Sequence, residues 1–243
     1  MLDLTTNHIK FSLIEDFKEI PDLDSMDGEL KVTYYEELMA KSLINRANQR
    51  DPKVSVDNQE KIFPYIKYIL EWLRKGDFYT CPASTKYHDA VYAGLLNHTL
   101  KVYNQLVALR SIPKFHPVVQ DQWWSAVFAV LVHDWCKIGR YEQYLKNVKN
   151  EEKDVWEKVA AYRYREDGVG RLGHATQSLV MVMQLCTCSK YTSLTFEEIS
   201  AIRWHMDNWD MTSYDANDLQ KCNESIPMVR MVQFADQLAV TNY

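Results

Sequence analysis

The sequence predicts an all-α fold, and three observations carry that expectation. Glycine and proline are scarce, seven of each in 243 residues, while leucine, lysine and glutamate are plentiful, a balance that favours helix over strand. Apolar residues recur at steps of three and four along several long stretches, so one face of each stretch is suited to burial. No alternating apolar/polar run of useful length interrupts them. Apolar residues make up 47% of the chain, enough to fill a sizeable core.

Residues 1 to about 30 are acidic and broken by Pro21 and Gly28. Ile9 to Ile14 reads as a short strand or a turn of helix, and the segment as an arm on the body or on another subunit. Helices are expected over 32–48 and 58–75, the second with Ile62, Tyr65, Ile66, Ile69 and Leu73 on one face and Gly76 at its end. After a loop over 77–86, a helix from His88 to Arg110 carries the stripe Val91, Leu95, His98, Val102, Leu106 and Leu109. Two prolines break the chain over 112–117, and the next helix, 119–137, holds the apolar run Trp123 to Val132.

Residues 140–170 lack clean periodicity. Six Lys/Arg and seven Asp/Glu between Glu142 and Asp167 leave them nearly neutral, and a turn is expected over 167–170. A helix over 172–187 puts His174, Ser178, Met181 and Leu185 on one face. Thr195-Phe196-Glu197-Glu198 forms a capping box opening a helix to Met206. Ser225 is read as the cap of a last helix over 226–240, with Val229, Val232, Asp236 and Ala239 in line.

A net charge of −5 argues against a broad nucleic-acid-coating surface, which needs a basic excess. The five cysteines lack a CxxC pair and read as free thiols in a reducing compartment. Neither a signal peptide nor an apolar run of about 18 residues is present. A soluble, cytoplasmic protein that does not engage a membrane is the expectation.

The polar pair His133-Asp134 follows the long apolar run Trp123 to Val132. Burying imidazole and carboxylate costs several kcal/mol unless they are paired. Four other helices each bring an inward-facing candidate: His98, His174, His205 and Asp236. A metal ion offsets that cost by coordinating neutral imidazole and charged carboxylate together. This donor mixture suits Mn, Fe, Co, Ni or Zn better than Mg or Ca, with Mg retained as an option. One ion would take His98, His133, Asp134 and Asp236, and a second Asp134, His174 and His205. One ion or two both fit this arrangement.

These residues resemble a family. His98 … His133-Asp134 … Asp236 is similar to the H…HD…D signature of the HD-domain phosphohydrolase superfamily, and His174 and His205 to the two extra histidines of its dinuclear members. Pro82-Ala83-Ser84 followed by His88, and Gly94-Leu95-Leu96-Asn97-His98-Thr99-Leu100, resemble the "PAS…HHAY.GGLLEHTL" stretch of HD domains in 3′–5′ exoribonucleases and relaxase-associated proteins. Leu131 to Ile138 resembles "LLHDIGKI", and Gly170-Arg171-Leu172-Gly173-His174 the "G-x-L-G-H" segment. Ala201 to Met206 resembles the histidine-bearing helix of bacterial and phage HD hydrolases.

The chain departs from the pattern at Met206, where many dinuclear members have a second histidine. It departs again at Asp89, where "HHAY" has its second histidine. The exoribonuclease relatives carry an oligonucleotide-binding barrel ahead of the HD domain, and the helical segment 32–75 does not resemble one; the resemblance covers roughly residues 78–240. It implies an HD-type helical hydrolase domain over 78–243 with metals at its centre, and an extension with helices packed on it over 1–77.

The activity so implied is metal-dependent hydrolysis of a phosphoester in a nucleotide or small phosphodiester. Asp134 and the histidines would hold the ions. Lys137 holds a substrate phosphate or is a solvated helix-end cation. His88 is a substrate-facing acid/base group or an ordinary helix N-terminal residue. Arg140, Arg171 and Arg203 are further phosphate candidates, and segment 142–166, with Trp156, Tyr162 and Tyr164, caps the site or lies over the surface. His8 and His116 read as surface residues. The same ligand types serve di-iron oxygenases of this fold, and a nucleotide-sensing module without turnover is a third reading. Short oligonucleotides and a homodimer remain within these expectations.

Overall fold

A computed structural model describes residues 1–13, 21–166, 172–187, 189–210, 212 and 214–240, without the side chains of 208 and 210. The turn expected over 167–170, the cation Arg171 and Cys188 lie outside the described residues, as does Ile14.

The fold is predominantly helical, with one two-stranded antiparallel sheet. At its centre is α5 (Trp123–Val132), in which every residue except Trp124 is buried. A helix that is apolar all round belongs inside a protein. Here it is flanked by α1 (Gly28–Arg50), α3 (Gly94–Ala108), α7 (Phe196–Trp204) and α9 (Pro227–Val240). Burying a Val127, Phe128 or Leu131 side chain contributes about 1.5–3 kcal/mol each.

α1 starts where the Asp27 carboxylate accepts Leu30 N–H at 2.8 Å. It carries two buried acids, Glu36 and Glu37. Glu36 accepts from Arg74 of α2 (Phe63–Lys75), from the Tyr79 hydroxyl and from Leu2 N–H. Glu37 accepts from the backbone N–H groups of Ser12 and Leu13. The N-terminal arm is therefore held to the body of its own chain, with Leu2, Leu4 and Ile9 in the core. Ile9 to Leu13 forms neither strand nor helix. Gly76 ends α2, as expected.

Three helices are shorter than expected, for visible reasons: α2 begins at Phe63 rather than at 58, behind a turn in which Ile62 N–H donates to Gln59 O. α3 begins at Gly94 rather than His88 because the preceding loop folds across its start. In that loop Ala83 N–H donates to Asp89 O, and Ala93 N–H to Thr80 O. Asp89 and Ala93 take left-handed backbone conformations (φ 48° and 57°). A Cβ on Gly94 would lie 1.9 Å from Asp89 O, so only glycine fits. Val91 consequently leaves the stripe and is 54% exposed, while Leu95, His98, Val102 and Leu106 keep it. The helix expected over 119–137 breaks at Gln122 (φ −132°, ψ 16°) into α4 (His116–Asp121) and α5. Beyond α5 the chain tightens into a 3-10 turn at Trp135–Lys137.

The expectation of a purely helical chain is corrected at residues 141–164. β1 (Tyr141–Asn150) and β2 (Val155–Tyr164) form a hairpin in register Tyr141↔Tyr164 to Asn150↔Val155. Most of both strands is exposed, so no buried face imposes an apolar/polar alternation. Cross-strand pairs hold the ribbon instead. Tyr141 and Tyr164 rings lie 5.3 Å apart, and Arg163 meets Glu142 at 2.6 Å.

α6 (His174–Cys186) and α7 follow, the latter opened by the expected Thr195/Glu198 capping box. A further helix, α8 (Ala216–Ser225), escaped the periodicity because only Leu219 and Asn223 of its residues are buried. Ser225 therefore does not cap α9 as expected. It closes α8, its hydroxyl donating to Lys221 O at 2.6 Å. No helix among the described residues is long and apolar enough to cross a membrane.

Candidate metal centre

The ends of α5 and α7 and the inward faces of α3, α6 and α9 converge on one buried cluster. His133 is the C-cap residue of α5 and His205 that of α7. At both positions the ring Nδ1 faces the carbonyl three residues earlier: Val130 O at 2.6 Å and Ile202 O at 2.8 Å. A carbonyl only accepts, so Nδ1 carries the proton and Nε2 is left as a lone pair aimed into the cluster. The Nε2 of His205 is buried and has no hydrogen-bond partner.

His98, from the middle of α3, brings its Nε2 within 3.3 Å of His133 Nε2, 3.3 Å of Asp134 Oδ2 and 3.2 Å of Asp236 Oδ1. Asp134 divides its oxygens between two halves of the cluster. Oδ2 lies 3.3 Å from His133 Nε2, while Oδ1 lies 2.5 Å from His174 Nε2 and 3.7 Å from His205 Nε2. His174 is the first residue of α6, after Gly173 at φ 82°. The structure thus brings His98, His133, Asp134, His174, His205 and Asp236 together.

Three overlapping groups hold ligand atoms within 4.8 Å of one another: His98, His133, Asp134; His133, His205, Asp236; and Asp134, Cys136, His174. Each can hold a metal ion. The donor chemistry fits: imidazole lone pairs and carboxylates are gathered in a space that buries them without neutral partners for all. The sequence reading missed Cys136, whose Sγ lies 3.4 Å from His174 Nδ1 and whose backbone N–H donates to Ser178 Oγ. Its place two residues after Asp134 was a signal, but it read as one of several free thiols. Cys81, Cys136 and Cys222 are free thiols, as expected.

Electrostatics within the cluster are strongly coupled. Burial works to raise the Asp134 carboxyl, but the Lys137 ammonium, His133 and His174 hold it well below the ordinary range. Burial likewise opposes ionisation of Asp236, and His98 and His133 outweigh it. Desolvation would depress His98, yet Asp134 and Asp236 raise it overall. For His174 burial wins and the ring is shifted down. Burial, then Asp134, pushes the Cys136 thiol up to about 12.

Lys137 is not a solvated helix-end cation. It is 6% exposed and donates to Asp134 Oδ2 at 2.6 Å. His88 lies in the loop before α3, not on a helix. Its ring centroid is 4.9 Å from that of His98, and its Nε2 is buried without a partner. Burial, then His98 and Lys137, lowers its pKa to about 4, keeping it neutral. Arg140 stacks over Tyr164 and Arg203 over Trp204. Trp156 and Tyr164 on the hairpin are 71% and 57% exposed and so take no part in the core. His8 and His116 are exposed, as expected.

No family model, curated protein or solved structure matches this chain. The helical body and the buried His/Asp cluster are compatible with an HD-like site.

Proposed function

We propose that the chain is a metal-dependent phosphohydrolase of the HD type, cleaving a phosphoester in a nucleotide or small phosphodiester. The observation that carries this reading is the pair of Nε2 lone pairs on His133 and His205. Both are fixed by helix-end carbonyls and face the Asp134 and Asp236 carboxylates. His98, His133, Asp134 and Asp236 would hold one divalent transition ion, and Asp134, His174 and His205 a second. Such ions supply Lewis acidity toward a phosphoryl oxygen and lower the pKa of water.

The chain's own groups serve that chemistry in three ways. Asp134 spans both halves of the cluster through its two oxygens. Lys137 neutralises Asp134 from the side, so its ammonium sets the charge of the site rather than projecting into solvent. His88, neutral and with an unpartnered Nε2 beside His98, would accept a proton from the attacking water as a general base.

The test is a screen of the purified chain with Mn, Ni, Co, Zn and Mg against nucleotides, cyclic dinucleotides and short oligonucleotides. Phosphate release and nucleotide chromatography are the readouts. Hydrolysis by the wild type that Asp134→Ala abolishes supports the assignment, and full turnover by that variant overturns it. Tightly held iron after anaerobic purification, with oxygen uptake and no phosphoester cleavage, assigns the cluster to di-iron oxygenation instead. Metal-dependent nucleotide binding without any turnover assigns it to sensing.

A further inference from the structure

His174 differs from the other two helix-end histidines in what faces its Nδ1. For His133 and His205 that group is a main-chain carbonyl, at 2.6 and 2.8 Å. His174 is the first residue of α6, so no helical carbonyl lies one turn before it. Its Nδ1 faces the Cys136 Sγ instead, at 3.4 Å. The same helix fixes the thiol in place: Cys136 N–H donates to the Oγ of Ser178, which is buried one turn after His174. In LLHDIGKI, the motif that Leu131 to Ile138 resembles, this place is a glycine, so the thiol contact is this chain's own.

Cys136 and Asp134 both approach His174, and the ligand atoms of the three lie within 4.8 Å of one another. They address different nitrogens of the ring. Asp134 Oδ1 meets Nε2 at 2.5 Å, while Sγ meets Nδ1. An ion held between Asp134 and the ring would therefore take Nε2, with the sulfur behind the imidazole. A neutral imidazole that ligates through Nε2 carries its proton on Nδ1. The group facing that N–H is Sγ.

We infer that Cys136 is a positioning residue for the second ion: its sulfur accepts from His174 Nδ1–H and so fixes the ring that, with Asp134 and His205, would hold that ion. The inference rests on the two-ion form of the hydrolase reading. Sulfur is a weak acceptor, so His174 is held less firmly than His133 and His205. Its side chain is also 21% exposed, against 1% for His133 and 0% for His205. The two ion positions are thus graded. His98, His133, Asp134 and Asp236 make the tighter one, and Asp134, His174 and His205 the weaker, whose strength is set by Cys136.

The experiment is calorimetric titration of the full-length, metal-stripped chain with cobalt(II), followed in parallel by visible and near-ultraviolet absorption. No substrate is present, so a wild type that binds two ions yet cleaves no phosphoester refutes the hydrolase reading and leaves this result standing. His174→Ala removes the ring and identifies the binding step that belongs to it. Cys136→Ala should weaken that step, and not the other, by about 10–100-fold, the usual cost of losing such a partner. Cys136→Ser and Cys136→Asn return an oxygen acceptor on a shorter and a longer arm. One or both should recover affinity, which a side chain that only fills space would not show; melting temperatures verify that each variant folds. Unchanged two-step binding by Cys136→Ala overturns the inference. So does equal weakening of both steps, and so do serine and asparagine variants as weak as the alanine one. A thiolate-to-cobalt charge-transfer band in the wild type, absent from Cys136→Ala, makes the sulfur a ligand and overturns the positioning role. A wild type that takes up fewer than two ions overturns it together with the two-ion reading.

Discussion

Replacing Asp134 by alanine separates two jobs that one carboxylate performs. Its side chain is 4% exposed, and that of Lys137, 2.6 Å away, is 8% exposed. Removing one partner of a buried ion pair leaves an uncompensated charge and costs about 3–5 kcal/mol. In a chain of this length each kcal/mol moves the melting temperature by about 2–4 °C. Asp134→Ala should therefore melt about 6–20 °C below the wild type without metal. Asp134→Ala/Lys137→Met replaces both charges by apolar groups and should recover most of that loss.

The ion-holding role shows in the other arm. A ligand at a hundred times its Kd stabilises by about 2.7 kcal/mol, so manganese should raise the wild-type melting temperature by about 5–11 °C. Neither variant should respond. Scanning calorimetry with and without metal reads both arms. A metal-induced rise that survives in the double variant would refute the placement of Asp134 at the centre of the cluster. A single variant as stable as the double would refute the buried-pair argument.

Three further outcomes are expected. Glu198→Gln weakens the bidentate contact to buried Arg46, held at 2.6 and 2.7 Å, and should cost about 3 kcal/mol or more; chemical denaturation measures it, and a loss under 1 kcal/mol would contradict the pairing. Tyr35→Phe removes the hydroxyl that donates to Leu131 O at 2.9 Å and accepts from Trp135 Nε1. It should cost about 1–3 kcal/mol, with reduced metal affinity because the end of α5 carries His133. Gly94→Ala drives a Cβ into Asp89 O and Ala83 N. Overpacking costs about 1–3 kcal/mol, and amide exchange should quicken across 83–93; unchanged exchange there would count against the close approach.

The cluster was legible because it obeys helical arithmetic. His98 and Asp236 stand on apolar stripes, and His133 ends an apolar run, so periodicity alone turns them inward. Elsewhere the same arithmetic has nothing to act on. The hairpin at 141–164 buries no face, and α8 buries two residues, so neither imprints a pattern. The fate of Lys137 depends on Asp134, one turn away, as its partner, which composition does not encode. Cys136 joins the cluster through the 3-10 turn after α5, a local tightening that a stripe of apolar residues does not announce.

The locks on His133 and His205 are made of main chain. No substitution at another position deletes the carbonyl of Val130 or Ile202, because every residue type supplies one. The aim of both rings therefore tolerates drift in the surrounding side chains. It responds instead to changes that move a helix end by a residue, such as an insertion in α5 or α7. A random library built on this fold should keep metal-competent rings through many core replacements and lose them abruptly at single-residue indels in those two helices.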